Sequence, residues 1–330
     1  MSEIYIPSGS SFDLKRAKEL AMLVEESYHF YELDQKKETL EPEKTGFLDV
    51  DLHTGNVSER LNYSILSTFR FTGFWLTRPE TVTFGFIAKR ILEDGNVGIF
   101  IVFRGTRENQ EWYQNLNSNQ EDFLGVPELG LVNVGTHKIY TRAVKNRNLH
   151  YARLTADGNL SYIKNKSRYP DLISRNGHSE AITETVHKTL TDSTQCPANS
   201  QVFITGHSLG AGLATFAALH VATQTKFQPI LYTFASPRVA APNFKEQFTN
   251  RNIEYYRIAN AEDVVPTLPL ANFNFTKVNP IQNFFSRLLF LNQLTLMDIR
   301  YQHMGEPIYF SKQLGSILDN HDIITYRKAL

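Results

Sequence analysis

"VFITGHSLGAGLATFAALH", residues 202–220, opens as an apolar strand and continues as a small-residue helix, with Gly206, His207, Ser208, Leu209 and Gly210 at the change. A sharp strand-to-helix turn needs glycine wherever a Cβ would clash, and a serine held on such a turn points its hydroxyl out of the sheet. That is a nucleophile's position. The helix beyond it, with Gly210, Ala211, Gly212 and Ala214, can pack close to the sheet and aim its first N–H groups at the serine's surroundings. The plain alternative is a tight turn in which Ser208 merely caps the helix. The apolar strand before it and the small residues after it favour the nucleophile.

Outward from that turn, strands and helices alternate. Downstream come a helix over 209–225, the strand "PILYTFAS" (229–236), the helix "APNFKEQFTN" (241–250), and the strands "IEYYRIAN" (253–260) and "EPIYF" (306–310). Upstream, "VGIFIVF" (97–103) is apolar throughout, as a strand covered on both faces should be. "YSILSTFRF" (63–71) and "TVTFGFIAKRI" (81–91) alternate as half-buried strands. "FDLKRAKELAMLVEESYHFYEL" (12–33) repeats Leu14, Ala17, Leu20, Ala21, Val24 and Tyr28 at helical spacing, and 178–192 is also helical. The pattern predicts an α/β fold, a mostly parallel central sheet with helices on both faces. Nothing reads as a linker, so residues 1–330 are expected to form one domain with insertions near 144–178 and 277–300. The first of these is polar and is expected to be a solvated face.

A nucleophile elbow takes its partners in the order serine, acid, histidine, each following a later strand. In an open parallel sheet they gather at the carboxyl ends of the strands. The strand 253–260 runs into "AEDVVPTLP", where Asp263 can be held still by a loop stiffened by Pro266 and Pro269. Of the ten histidines only His303 and His321 lie beyond it. His303 precedes the strand 306–310 and belongs at its amino end, as a structural residue; His321 follows that strand and is the expected base. His207 adjoins the nucleophile in sequence, but its side chain leaves the turn in another direction and is expected to shape the pocket. Two oxyanion donors are needed. Leu209 supplies its N–H, and Thr106 in "FRGT" (103–106) is the candidate for the other, although a glycine turn alone would also explain that motif.

Lys plus Arg equals Asp plus Glu, 34 each, so no one-signed field points to nucleic acid or an anionic membrane. With 42% hydrophobic residues the chain can bury a large core, and the single cysteine, Cys196, excludes an intramolecular disulfide. The chemistry needs no metal or organic cofactor, and no metal-ligand spacing is visible. The first twenty residues hold no apolar core of signal-peptide length, and no run is long enough to span a bilayer. A cytoplasmic location is the default expectation, with signal-independent export left open.

Five pieces together resemble the class 3 lipases, the fungal-type triacylglycerol lipases and their relatives: "FRGT", "GHSLGAGLA" (206–214), "YTFASPRVA" (232–240), "EDVVPTLP" (262–269) and "HDIITY" (321–326). The resemblance implies an α/β-hydrolase fold and serine esterase activity on acylglycerols or phospholipids. It implies Ser208, Asp263 and His321 as the triad, and Thr106 and Leu209 as the oxyanion hole. It also implies a lid at "EWYQNLN" (111–117), with Trp112, Tyr113 and Leu116 as apolar contacts. The chain departs from the family pattern in "FASPRVAAP", which has alanine where glycine is common. The expected partner is a lipid ester, presented at a membrane or droplet surface if the apolar segment 281–299 is interfacial and not buried in the core. Phospholipase A1 and acyltransferase activity are rivals on the same triad. A non-catalytic binding protein on a hydrolase fold would predict a lost triad member, and none is lost.

Overall fold

A computed structural model describes residues 4–36, 46–54, 57–75, 78–106, 119–145, 148–165, 180–269, 272–273 and 299–330. The expected lid residues Trp112, Tyr113 and Leu116 lie outside the described residues, as does all of the 281–299 segment but Ile299, which pairs with Phe273 in a two-residue ladder.

Among the described residues eight strands build the main sheet: β1 (Phe47–Thr54), β2 (Val57–Trp75), β3 (Arg78–Ile91), β4 (Val97–Phe103), β5 (Gln201–His207), β6 (Pro229–Phe234), β7 (Glu254–Asn260) and β8 (Glu306–Phe310). They lie side by side in chain order. β4 to β8 are all parallel, whereas β1 to β4 form an antiparallel meander. The sheet is therefore mixed, and the expected parallel arrangement describes its second half. β1 adds to the expected strands, and its Leu48, Val50 and Leu52 are buried.

The period of two divides the core into two layers. Phe86, Phe100, Val102, Phe203, Phe234 and Ile258 face one side, where they meet α1 (Leu14–Lys36) through Ala17, Leu20, Ala21 and Val24. Ile87, Ile99, Ile101, Phe103, Ile204 and Leu231 face the other. There they meet α2 (Val134–Thr141), α3 (Ile182–Thr191), α4 (Leu209–Gln224) and α5 (Pro242–Asn250). Two short helices, α6 (Ile317–His321) and α7 (Ile323–Ala329), close the chain, and Ile323 and Tyr326 join the α1 layer. α4 is buried from Leu209 to Val221, which explains its small residues. A Cβ on Gly212 would stand 2.7 Å from Val239 Cγ1.

The described part of the 144–178 insertion, with residues 142–143 before it, carries regular structure beneath a partly exposed surface. Residues 142–145, 148–154 and 160–165 form a three-stranded antiparallel sheet, and Ala143, Val144 and Ala152 are buried under its polar outer positions.

Candidate active site

Parallel strands bring the residues at their carboxyl ends to one edge of the sheet. β4 runs into Arg104, Gly105 and Thr106, β5 into Ser208, β7 into the loop of Asp263, and β8 leads on to α6, which ends at His321. The turn at Ser208 is as tight as its glycines suggest. Ser208 sits at φ 57°, ψ −125°, in the left-handed half of backbone space, and its N–H donates to Phe234 O at 3.0 Å. A Cβ on Gly206 would lie 2.2 Å from Gly210 O, and one on Gly210 would lie 2.3 Å from Arg104 O.

His321 stands between the other two expected triad members. Its Nε2 is 2.8 Å from Ser208 Oγ and its Nδ1 is 2.7 Å from Asp263 Oδ2. Asp263 is buried and held by two further donors, Val265 N–H to Oδ1 at 2.9 Å and Tyr326 O–H to Oδ2 at 2.7 Å. Burial and the adjacent carboxylate push the Tyr326 phenol well above its ordinary pKa, so it remains a donor. Two buried asparagines tie the acid's loop to the histidine's segment. Asn260 Nδ2 donates to Asn320 O at 3.0 Å, and Asn320 Nδ2 donates to Glu262 O at 3.1 Å.

On the side of the expected oxyanion hole, Leu209 is the first residue of α4, a position whose N–H has no intrahelical acceptor. Thr106 Oγ1 is buried with no hydrogen-bond partner among the described residues. Arg104, fully buried, clamps the loop between them: Nε donates to Thr83 O and Nη1 to Gly105 O, each at 2.6 Å. Its guanidinium lies 3.9 Å from the centre of the Tyr31 ring. The conformation of "FRGT" is thus held by Arg104 as well as by its glycine.

His207 is buried and does not reach Ser208's proton by hydrogen bonding; its Nδ1 meets Tyr28 Oη at 2.7 Å and its Nε2 meets His321 O at 2.7 Å. Burial, then the neighbouring His321, hold its pKa well below the usual histidine value. Tyr28, Arg104, Asn260, Asn320 and Tyr326 are absent from the sequence-derived site. Tyr28 reads only as one residue of an amphipathic stripe, Arg104 and Tyr326 lie inside "FRGT" and "HDIITY" with no role of their own assigned, and Asn260 and Asn320 carry no signal before the fold brings them together. His303 takes a structural position, with Nε2 2.7 Å from Pro266 O. A cavity of about 510 Å³ opens beside the triad, lined by Glu25, Tyr28, Thr106, His207, Leu318 and His321 among others. Among the described residues no group of three or more His, Cys, Asp or Glu could hold a metal ion, and no helix is long and apolar enough to cross a membrane.

A mixed sheet with an elbow serine at the carboxyl end of an inner parallel strand, and an acid and a histidine after later strands, defines an α/β-hydrolase. The model of the class 3 lipase family matches residues 100–273, more than half of the chain, and the chain belongs to that family. It is 25% identical over 248 residues to "Phospholipase A1-Igamma3, chloroplastic" of Arabidopsis thaliana, covering 67% of this chain and 42% of that protein. It is 38% identical over 77 residues to "Secreted mono- and diacylglycerol lipase 1" of Fusarium solani, covering 23% of each. The chain spans less than half the length of these curated relatives. Among solved structures, the Rhizomucor miehei lipase propeptide complex superposes with a TM-score of 0.50 at 19% identity, covering 91% of this chain and 69% of that one. That likeness is one of fold.

Proposed function

We propose that this chain is a serine hydrolase that cleaves carboxylic esters of lipids through an acyl-enzyme. The observation that carries the reading is the unbroken hydrogen-bond series Ser208–His321–Asp263 at one edge of the sheet. His321 takes the proton of Ser208, whose Oγ attacks the ester carbonyl. Asp263 keeps the Nδ1 proton of His321 directed toward itself and offsets the positive charge on the ring. Thr106 and the Leu209 N–H receive the developing oxyanion, and His321 hands its proton to the departing alcohol. Water, deprotonated by the same imidazole, then releases the acid.

Acylglycerols are the first substrate class in this reading. Phospholipid acyl esters are the second, favoured by the breadth of the match to the Arabidopsis protein named a phospholipase A1. Presentation from a lipid surface is supported by large apolar residues exposed around the site's rim: Leu314, Ile317 and Leu318 on the histidine side and Val264 beside the acid. A rate that climbs as a sparingly soluble ester passes its solubility limit would uphold surface presentation; a rate that stays flat there would remove it.

The decisive experiment compares wild type with Ser208→Ala for hydrolysis of a short p-nitrophenyl ester and for labelling by a fluorophosphonate. Wild type is expected to hydrolyse and label, and Ser208→Ala to do neither. Retained hydrolysis in the alanine variant would exclude Ser208 as the nucleophile.

A further inference from the structure

We propose that Tyr28 is a positioning residue for ester hydrolysis, which through His207 holds the oxyanion loop Gly105–Thr106 in register with the base at His321. The proposal rests on the serine hydrolase reading above. Its basis is a relay of three hydrogen bonds joining four segments remote in sequence. Gly105 N–H lies 2.9 Å from Tyr28 Oη, Tyr28 Oη lies 2.7 Å from His207 Nδ1, and His207 Nε2 lies 2.7 Å from His321 O.

Elementary valence fixes the direction of every bond. A carbonyl oxygen only accepts, so the His207 proton sits on Nε2. Burial keeps His207 neutral, so Nδ1 is an acceptor and the phenol must donate to it. A lone pair of the phenolic oxygen then receives the Gly105 N–H. The packing is equally specific. A Cβ on Gly105 would come within 2.5 Å of Tyr28 Oη and 2.8 Å of both His207 O and Ser208 Cβ, so only glycine lets the loop approach. The His207 ring lies 4.7 Å from the His321 ring and 5.9 Å from that of Tyr326, which itself donates to Asp263. A single phenol on α1 thus ties the residue before Thr106 to the residue that moves the proton. Neither end needs to touch substrate for their spacing to matter, since misplacing a reacting group by about 1 Å can cost on the order of 100-fold in rate.

Tyr28→Phe removes one oxygen and leaves the ring. Turnover of a soluble p-nitrophenyl ester is measured per active site, counted by fluorophosphonate titration, so that a loss of folded protein does not register as a loss of rate. The expected result is a kcat lower by about 10- to 100-fold with KM within about twofold. His207→Gln, which keeps a donor for His321 O but loses the Nδ1 acceptor, is expected to show a similar loss. Combining the two is expected to add little, because both break one relay. A kcat per site within twofold of wild type in Tyr28→Phe overturns the proposal, as do losses that multiply in the double variant. If Tyr28→Phe does not fold, His207→Gln decides by the same kcat criterion. Failure of the wild type to label would instead overturn the hydrolase reading, and this proposal with it.

Discussion

At the scale of single residues, the site places His321, the proposed base, 4.7 Å, centre to centre, from the buried neutral His207. Two unit charges at that separation repel by about 3–4 kcal/mol at an effective dielectric near 20. A protonated His207 would therefore oppose the imidazolium that His321 becomes in the proposed acylation. Burial prevents this, holding the His207 pKa well below the ordinary range. Asp263 fixes the orientation of His321. It accepts from His321, Tyr326 and Val265, so its carboxylate cannot turn away from the imidazole. Asp263→Asn keeps the shape but puts an amide where an acceptor is needed, and the His321 tautomer that presents Nε2 to Ser208 loses its support. The expected loss in kcat is on the order of 10³- to 10⁴-fold with KM little changed. Steady-state kinetics on protein of unchanged melting temperature would check it, and a loss under tenfold would mean that Asp263 is not the orienting acid.

At the scale of elements, the turn between β5 and α4 shows which parts of the site were legible. Ser208, Asp263 and His321 could be read in order because each follows a parallel strand, and parallel strands share a carboxyl edge. Tyr28 could not, because its role depends on how α1 lies across the sheet, a tertiary fact with no local pattern. The 142–165 sheet was hidden for another reason: its buried residues are few and mostly small, Ala143, Val144 and Ala152, and most of its other positions are polar or only half-buried. Alanine in "FAS" has a backbone meaning too. Ala235 adopts φ 51°, the region that glycine enters without a Cβ penalty. The two glycines of α4 are predicted to differ in tolerance. A Cβ on Gly210 meets backbone, Arg104 O at 2.3 Å and Phe103 O at 2.6 Å, and backbone cannot step aside without moving the oxyanion loop. A Cβ on Gly212 meets side chains, Val239 Cγ1 at 2.7 Å and Thr136 Cγ2 at 3.2 Å, which can shift rotamer. Gly212→Ala should cost about 1–3 kcal/mol, as overpacking usually does, and Gly210→Ala more than that. Urea unfolding of the two variants gives the comparison, and equal midpoints would contradict it.

At the scale of the whole molecule, two buried histidines, His207 and His220, and the half-buried His303 make stability depend on pH in one direction. Burial lowers His207 well below its usual value. Burial, then the neighbouring His187, takes His220 down to about 3; burial, then the charges of Arg257, Arg238 and Lys245, does the same for His303. Each is depressed in the folded state relative to about 6.5 in the unfolded chain, so between those values the unfolded state binds more protons and acid favours unfolding. The associated stability is complete above about pH 6.5 and is lost progressively as the pH falls toward 3. At pH 5.5 the loss is about 1.4 kcal/mol for His220, and His207 contributes in the same direction. His303 adds to it, and a typical domain has only about 5–15 kcal/mol to lose. Exposed carboxylates held low by hydrogen bonds, such as Asp94 by Asn96 and Asp192 by Thr194, release their stabilisation only below the ordinary carboxylate range. Glu26 works in the opposite direction, since burial raises its pKa. Above about pH 4.5 the histidines therefore favour unfolding as acid is added, with Glu26 opposing them. Unfolding free energy is expected to be level between about pH 7 and 8 and to fall steeply below about 6.5. In His220→Gln the slope between about pH 4.5 and 6 should decrease by about 1.4 kcal/mol per pH unit, one proton's worth, whatever the variant costs at neutral pH. Denaturant titrations at half-unit steps would resolve this. An unchanged slope in the variant would mean that His220 takes up its proton in the folded protein, which burial against Tyr140 and an unpaired Nε2 argue against.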